Sequence, residues 1–330
     1  MADGSFEVLT IGNAIVDVLA KMEDEAVGRL GLNKGTMTLI DAARADQLYE
    51  NLGPAVEISG GSAANTAVGV VSLGGRAAYI GKVRDDHLGG VFRHDLKAAG
   101  VHYPTAPATE GPPTARSFIV ITPDAQRTMN TYLGACVNLG PADIDEATVA
   151  AAAITYLEGY LWDPPQAKEA FRKAAEIAHR AGRKVALTLS DPFCVDRHRE
   201  SFIDLVKHHV DILFANEAEI LSLYQARTFD DALQAVRWQV DVAALTRGPK
   251  GSVILERDEV HIIDAVPPAR IADTTGAGDL YAAGFLFGHA TGRPPAECGR
   301  LGSICAAEVI AHVGARPETP LRNLVPAGRQ

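Results

Sequence analysis

Asp273-Thr274-Thr275-Gly276-Ala277-Gly278-Asp279 runs without a break into Leu280-Tyr281-Ala282-Ala283-Gly284-Phe285-Leu286-Phe287-Gly288. The second half has no polar face, which predicts a helix from about Gly278 to Gly288 buried inside a large core. The first half flanks an alanine with glycines, so the backbone N–H groups at the helix start stay uncovered. Such groups lack intrahelical partners and lie at the positive end of the helix dipole, where phosphate oxygens are held. Asp279 adds a carboxylate at the same helix start, kept ionised by the dipole and placed to take a proton from a hydroxyl. An anion site beside a base points to phosphoryl transfer. On this stretch alone, a capped glycine-rich turn without a ligand is the alternative.

The 330 residues suffice for one large α/β domain or two smaller ones. The composition, 47% hydrophobic and 22% charged, is ordinary for a globular protein and includes no low-complexity tract. A net charge of -10 without a basic stripe argues against nucleic acid and anionic membrane as main partners. A polyanionic ligand then needs a metal ion or backbone N–H groups. Cys136, Cys194, Cys298 and Cys305 contain no C-x-x-C pair, so reduced thiols in a cytoplasmic protein are expected and a zinc site is not. The acidic start from Met1 to Gly12 lacks the basic region and long apolar core of a signal peptide, and no apolar run reaches membrane-spanning length.

Along the chain, Phe6 to Gly12 reads as a buried first strand with Asn13 and Asp17 just beyond it. Ligands collect at the carboxyl ends of parallel strands, which makes both residues candidates for polar substrate contacts; a turn-forming Asn13 and a solvated Asp17 are the alternatives. Paired glycines in Ile58-Ser59-Gly60-Gly61-Ser62-Ala63-Ala64-Asn65 permit close backbone approach, and the helix that follows is small enough to pack tightly. Asn65 is a polar residue on the first turns of that buried helix, a candidate for ligand contact. Strand and helix then alternate from Arg76 to Ala99 and again from Ala153 to His312, which implies a doubly wound, mainly parallel sheet with helices on both faces. Two stretches break the rhythm: the polar segment 18–53, with a strand near Gly35 to Ile40, and the hairpin-like segment 114–137 around Thr122 to Gln126. Together they predict a small β-sheet lid, useful in phosphoryl transfer because water competes for the phosphoryl group. Glu158, after a strand, and Asn216-Glu217-Ala218-Glu219, opening a helix, place carboxylates where Mg²⁺ is held through its waters; taken alone, the second reads better as an ordinary N-cap with an acidic first turn. Thr246-Arg247-Gly248-Pro249-Lys250-Gly251 fits a nucleotide lying on backbone or a plain hairpin.

No G-x-x-x-x-G-K-[ST] occurs, no G-x-G-x-x-G follows the first strand, and His-Arg-Asp and Asp-Phe-Gly are missing. These absences exclude P-loop enzymes, dinucleotide dehydrogenases and protein kinases. Over nearly its whole length the chain resembles the ribokinase-like (PfkB) family of sugar and nucleoside kinases. The resemblance rests on Gly60-Gly61-Ser62-Ala63-Ala64-Asn65 and Asp273-Thr274-Thr275-Gly276-Ala277-Gly278-Asp279 in the family's order, with Asn216-Glu217-Ala218-Glu219 matching its N-x-x-E element.

The resemblance implies one catalytic domain over 1–330 with the lid on its edge. It implies Asp279 as catalytic base and the backbone of Gly276, Ala277 and Gly278 as anion hole. It places Asn13, Asp17, Gly60, Gly61 and Asn65 on substrate hydroxyls, with Leu133 and Glu158 also on the substrate side. ATP falls on Asn216, Thr246, Gly248, Gly251, Gly276 and Gly278, Mg²⁺ on Glu219 through water, and a monovalent cation such as K⁺ on Asp273, Thr275 and Gly314. The partner is then a small nucleoside or sugar, and the protein a monomer or homodimer. Asn13 with Asp17, the long polar lid and Tyr156-Leu157-Glu158-Gly159-Tyr160 look more like the bacterial adenosine kinase branch, with the adenosine 5′-hydroxyl as acceptor. Ribose, fructose or a ketodeoxy sugar acid is the alternative acceptor, and a non-catalytic sensor the alternative class. Met37, Leu39, Phe118, Leu133 and Ala135 either sandwich a purine under the lid or form the lid's own core.

Overall fold

The computed structural model describes residues 5–124 and 126–325. Met1 to Gly4 of the acidic start and Ala125 of the expected hairpin turn lie outside them. The first half runs β1 (Phe6–Ile11), β2 (Ile15–Lys21), α1 (Asp24–Arg29), β3 (Met37–Leu39), α2 (Ala42–Asn51), β4 (Ala55–Ser59), α3 (Ser62–Ser72), β5 (Ala77–Ile80), α4 (His87–Ala98), β6 (Ala115–Ile121) and β7 (Arg127–Tyr132). Next come α5 (Glu146–Ala151), β8 (Ala152–Glu158), α6 (Pro165–Arg180), β9 (Lys184–Thr188), α7 (Pro192–His209), β10 (Ile212–Asn216) and α8 (Glu217–Tyr224). The chain closes with α9 (Phe229–Val236), β11 (Val242–Thr246), β12 (Ser252–Glu256), β13 (Glu259–Ile263), α10 (Ala277–Ala290) and α11 (Pro295–Ile310).

The main sheet has eight strands in the order β13-β12-β11-β10-β9-β8-β1-β5, parallel except at the β12 and β13 edge. Its faces are covered by separate cores. On one face Trp162, Phe171 and Phe202 of the α6 and α7 side pack against Leu9, Leu187 and Leu213. On the other, α3, α4, α10 and α11 bring Phe92, Phe285 and Leu301 onto Val8, Tyr156 and Phe214. Strands buried on both faces read as continuous apolar runs, which is why they were legible in the sequence. Small residues let α3 and α10 approach closely: a Cβ on Gly69 would collide with Ala283 and Leu280.

A second sheet of five strands, in the order β3-β7-β6-β2-β4, lies apart from the first. It is built largely from segments 18–53 and 114–137, where a lid is expected, but it begins earlier, at Ile15, and includes β4, which has no periodic signature of its own. The β2 strand pairs in parallel with β6 and antiparallel with β4, so its neighbours are distant in sequence and leave no hairpin signature. Its inner layer is a small core of Val18, Val27, Leu48, Phe118 and Val120. Phe118 therefore belongs to the lid's own core, edge-on to Tyr49 at 6.4 Å between ring centroids, rather than facing a purine. The short helices α1 and α5 and the edge strand β13 carry too little periodicity to be read beforehand. The helix expected from Arg199 starts at Pro192, with Asp191 capping the N–H groups of Phe193 and Cys194, and bends at His198.

Candidate active site

The start of α10 is set by Gly276, whose φ of 78° lies in the left-handed region and whose missing side chain leaves room for Ala315. The Ala277 N–H turns back onto the Thr274 carbonyl (3.2 Å) and Leu280 N–H onto Gly276 (2.9 Å). Among the described residues no group accepts from the N–H of Gly276, Gly278 or Asp279, so these three donors, rather than Ala277, are open to an anion. A Cβ at Gly278 would meet only open space. Asp279 stands directly beside them. Ser62 Oγ donates to its Oδ1 (2.6 Å) and Asn65 Nδ2 to its Oδ2 (3.0 Å), while Thr66 donates to its carbonyl (3.2 Å). Burial pushes the Asp279 carboxyl above its usual range, and the bonds from Ser62 and Asn65 pull the other way.

Two cavities adjoin here, and Asp279 lines one of them while its hydrogen-bond partner Ser62 borders both. One, about 450 Å³, lies between the main sheet and the lid and is lined by Asn13, Ser62, Glu158, Tyr160 and Phe193 with Met37, Leu39 and Leu133 from the lid side. Ala135 is fully buried and does not reach it. The other, about 370 Å³, runs along Asn216, Glu219, Thr246, Gly248, Gly278 and Asp279. Ser62 and Tyr160 border both. A further recess of about 160 Å³ continues past Thr246, Gly251 and Gly278 to Ala265, Val266 and Ala307, with a mostly apolar wall. A cavity of about 560 Å³ opens at the opposite pole of the sheet between Trp238 and His289 and contains none of these residues.

On the lid side, Glu158 is buried and spends its carboxylate on Asn13 N–H (3.3 Å), Asn13 Nδ2 (3.0 Å) and Ala63 N–H (2.8 Å). It borders the cavity and at the same time fixes Asn13 and the start of α3. Burial pushes it up to about 7, with the donated N–H bonds opposing. Asp17 sits against Gly60, where any side chain would overlap its carboxylate, and Gly61 has a φ of 90° and lies on the Asn13 carbonyl. The glycine pair is thus required by the close approach of β2, not only by a turn. Among the described residues no group donates to Asp17, and burial pushes it up to about 7, with Arg316 and Arg127 opposing and Asp279 adding to the rise.

On the other side, Asn216 and Glu219 form a reciprocal cap. Asn216 Oδ1 accepts from Glu219 N–H (2.9 Å), and the Glu219 carboxylate accepts from Asn216 N–H (2.9 Å) and Nδ2 (2.6 Å). The N-cap and metal readings are therefore compatible: each carboxylate oxygen keeps a lone pair, and Glu219, buried at the cavity wall and pushed up to about 7 by burial, fits a metal-bound water better than a naked ion. The loop from Arg247 to Gly251 is tied to α8 by Arg247 and Glu217 (3.0 Å), which steadies the backbone under the second cavity.

The monovalent-cation expectation does not fit. Asp273 Oδ1 accepts from the N–H (3.0 Å) and hydroxyl (2.8 Å) of Thr275, and Oδ2 accepts from the N–H of Gly314 (2.9 Å) and pairs with Arg127 at 2.6 Å. Arg127 Nη1 also donates to Thr275 (3.0 Å). A guanidinium from the second sheet meets the charge that a K⁺ ion needs, and both Asp273 oxygens already accept from protein donors. Sequence reasoning missed Arg127 and Arg316, because neither lies in a motif and each reaches the site only through long-range packing.

A carboxylate beside three open N–H groups of a helix start, on a cavity that shares Ser62 and Tyr160 with a second one, suits a small-molecule phosphotransferase that acts on an alcohol. The chain belongs to the pfkB family of carbohydrate kinases, which it matches over residues 37–322. Membership implies ATP as phosphoryl donor together with a divalent metal. Among solved structures it is similar to the adenosine kinase of Sinorhizobium meliloti, 53% identical with a TM-score of 0.90 over 97% of this chain and 98% of that one. A probable sugar kinase from Rhizobium etli CFN 42 is 52% identical, TM-score 0.90, over 97% of both chains. The 5-dehydro-2-deoxygluconokinase of Geobacillus kaustophilus is 27% identical over 87% of each sequence. No helix among the described residues is long and apolar enough to cross a membrane.

Proposed function

We propose that the chain transfers the γ-phosphoryl group of ATP to the 5′-hydroxyl of adenosine, giving AMP and ADP. The observation that carries this reading is the position of Asp279: a carboxylate on the wall of one cavity, hydrogen-bonded to the Ser62 that also borders the lid-side cavity, beside free N–H groups of a helix start. The hydroxyl of the acceptor gives its proton to Asp279 as its oxygen attacks the γ-phosphorus, and the bond to the β-phosphate oxygen breaks, leaving ADP. The N–H groups of Gly276, Gly278 and Asp279 hold the equatorial oxygens during transfer. Mg²⁺, when bound through water at Glu219, spreads the phosphate charge. Asp17, free of protein donors, accepts from vicinal ribose hydroxyls beside Asn65 and the Gly60-Gly61 backbone. The five-stranded sheet acts as the lid of a single catalytic domain and excludes water.

Adenosine is favoured over a free sugar by the aromatic and aliphatic wall of the acceptor cavity, where Tyr160 and Phe193 face Met37, Leu39 and Leu133. It is favoured over a sugar acid by charge. Arg197 is the only cation among the described residues lining that cavity, and it is paired with Asp163 at 3.0 Å, which leaves no free cation there for a carboxylate. The high identity to an adenosine kinase of known structure supports the same acceptor. ADP release measured with ATP and Mg²⁺ across adenosine, inosine, ribose, fructose and a ketodeoxy sugar acid tests it. Adenosine is expected to give the highest kcat/KM; a free sugar or sugar acid in first place overturns the acceptor assignment.

A further inference from the structure

Arg316 stands in the loop after α11, outside every motif, yet its guanidinium reaches the first turns of α3. Its Nε donates to Asn65 Oδ1 (3.4 Å), and the same carboxamide donates through Nδ2 to Asp279 Oδ2 (3.0 Å). A carboxamide has two ends of opposite polarity, and guanidinium is donor-only while carboxylate is acceptor-only. With the amide flipped, its NH₂ would face Arg316 and its carbonyl Asp279, so both contacts would turn repulsive. The chain Arg316 to Asn65 to Asp279 admits one orientation. Asp95 and Asp17 are the carboxylates whose charge favours the Arg316 guanidinium, without a direct ion pair to it among the described residues, and Asp95 is engaged by the N–H (2.9 Å) and hydroxyl (3.0 Å) of Ser59.

Arg316 is also a poor choice for stability. Its Nη2 is buried without a hydrogen-bond partner among the described residues, and a buried guanidinium with an unmet donor is costly. A residue that weakens the fold at that point is expected to act elsewhere. We propose that Arg316 is the positioning residue of the candidate base: by holding Asn65 Oδ1 it fixes the amide so that one Asp279 oxygen is anchored and the other is left to exchange Ser62 for the acceptor hydroxyl. The inference rests on Asp279 being the base.

The test is Arg316→Met and Arg316→Lys in the full chain, alone and with Asn65→Ala. Arg316→Met is expected to lower kcat about tenfold, the scale of one hydrogen bond to a charged group, with a smaller change in acceptor KM and a melting temperature equal to or above wild type. Arg316→Lys, which keeps a donor, should recover part of the loss. In the Asn65→Ala background, Arg316→Met should cost nothing further in kcat. A full tenfold loss that persists without Asn65, or an Arg316→Met enzyme with wild-type kcat, overturns the proposal. So does a melting temperature that falls in step with activity. The Asn65 side-chain amide resonance, assigned by its disappearance in Asn65→Asp, should shift in Arg316→Met whether or not any acceptor is turned over. A wild type that releases no ADP with any acceptor defeats the kinase reading, while an unmoved amide resonance defeats the positioning role.

Discussion

The two sheets bury their strands in opposite ways. In the main sheet β5 is buried at every residue and β10 at all but Asn216, so both faces are packed and the strand ends are rigid platforms. In the second sheet β2 alternates buried and half-buried residues along its length, and β3 leaves Met37 48% and Leu39 51% exposed. One face of that sheet rests on its own small core of Val18, Leu48, Phe118 and Val120, and the other faces the acceptor cavity unfilled. A face left half dry is covered only when a ligand or closure covers it. The proposed chemistry accordingly sits on the packed sheet and its helices, where positions are fixed, and the proposed grip on the acceptor falls to the sheet that has room to move.

If this division is right, damage on the rigid side falls on kcat and damage on the lid falls on KM. The largest effect is expected from Asp279→Asn, which keeps the shape and the bonds to Ser62 and Asn65 within reach but removes the basic oxygen. The loss in kcat should be at least about a hundredfold with ATP binding intact. Steady-state rates beside a melting curve with a nonhydrolysable ATP analogue check it, and a mutant retaining most of its kcat breaks the assignment.

Next comes Gly278→Val. Open space surrounds the site of its Cβ, so the fold should tolerate the side chain, but the branch occupies the volume of the transferring oxygens. A fall of at least about tenfold in kcat, with acceptor KM little changed, is expected. A raised KM at unchanged kcat would place the anion elsewhere.

The lid side is sharpened by Leu39→Ala. Its exposed side chain lines the acceptor cavity without belonging to the lid core, so the melting temperature should hold while acceptor KM rises about fivefold, the scale of part of a buried leucine. Hydrogen exchange in 15–59 and 115–132 should slow on adding acceptor; slowing confined to 246–251 would show that the second sheet does not close.

The smallest effect is a pH slope. Asp17 is held at about 7, above its usual range, so the ligand-free fold binds its proton more tightly than the unfolded chain does. Stability from this source is present at low pH and lost as pH rises through 7. The ligand-free melting temperature should drop by a few degrees between pH 6 and 8, and Asp17→Asn should flatten the drop. Because the ionised form is the one that accepts ribose hydroxyls, acceptor affinity should move in the opposite direction and rise over the same interval. An unchanged slope in Asp17→Asn assigns the proton to another group such as Glu158.

The elements that were legible share a local cause. Helix α10 has no polar face, β10 and β11 are unbroken apolar runs, and Asn216 with Glu219 three residues on spells a capping box. Each is decided by interactions within one turn or one strand, so residue order alone fixed it, and with it the α/β alternation and the start of the helix that carries Asp279. Gly60 and Gly61 were legible as a point of close approach but not in what approaches them, since Asp17 of β2 and the carbonyl of Asn13, in the turn before it, come from a distant part of the chain.

What the sequence left open depends on pairs far apart in the chain. The lid's membership turned on β2 pairing with β6 and β4, the K⁺ expectation fell to Arg127 reaching Thr275 across 148 positions, and Arg316 meets Asn65 across 251. Burial also decided sides: Phe118 went to the lid core while Met37 and Leu39 stayed in the cavity, although all three are apolar residues on lid strands. A strand's side chains alternate between faces, and which face is inside is set by what packs against it, so the same apolar residue type gives core at one position and binding wall at another.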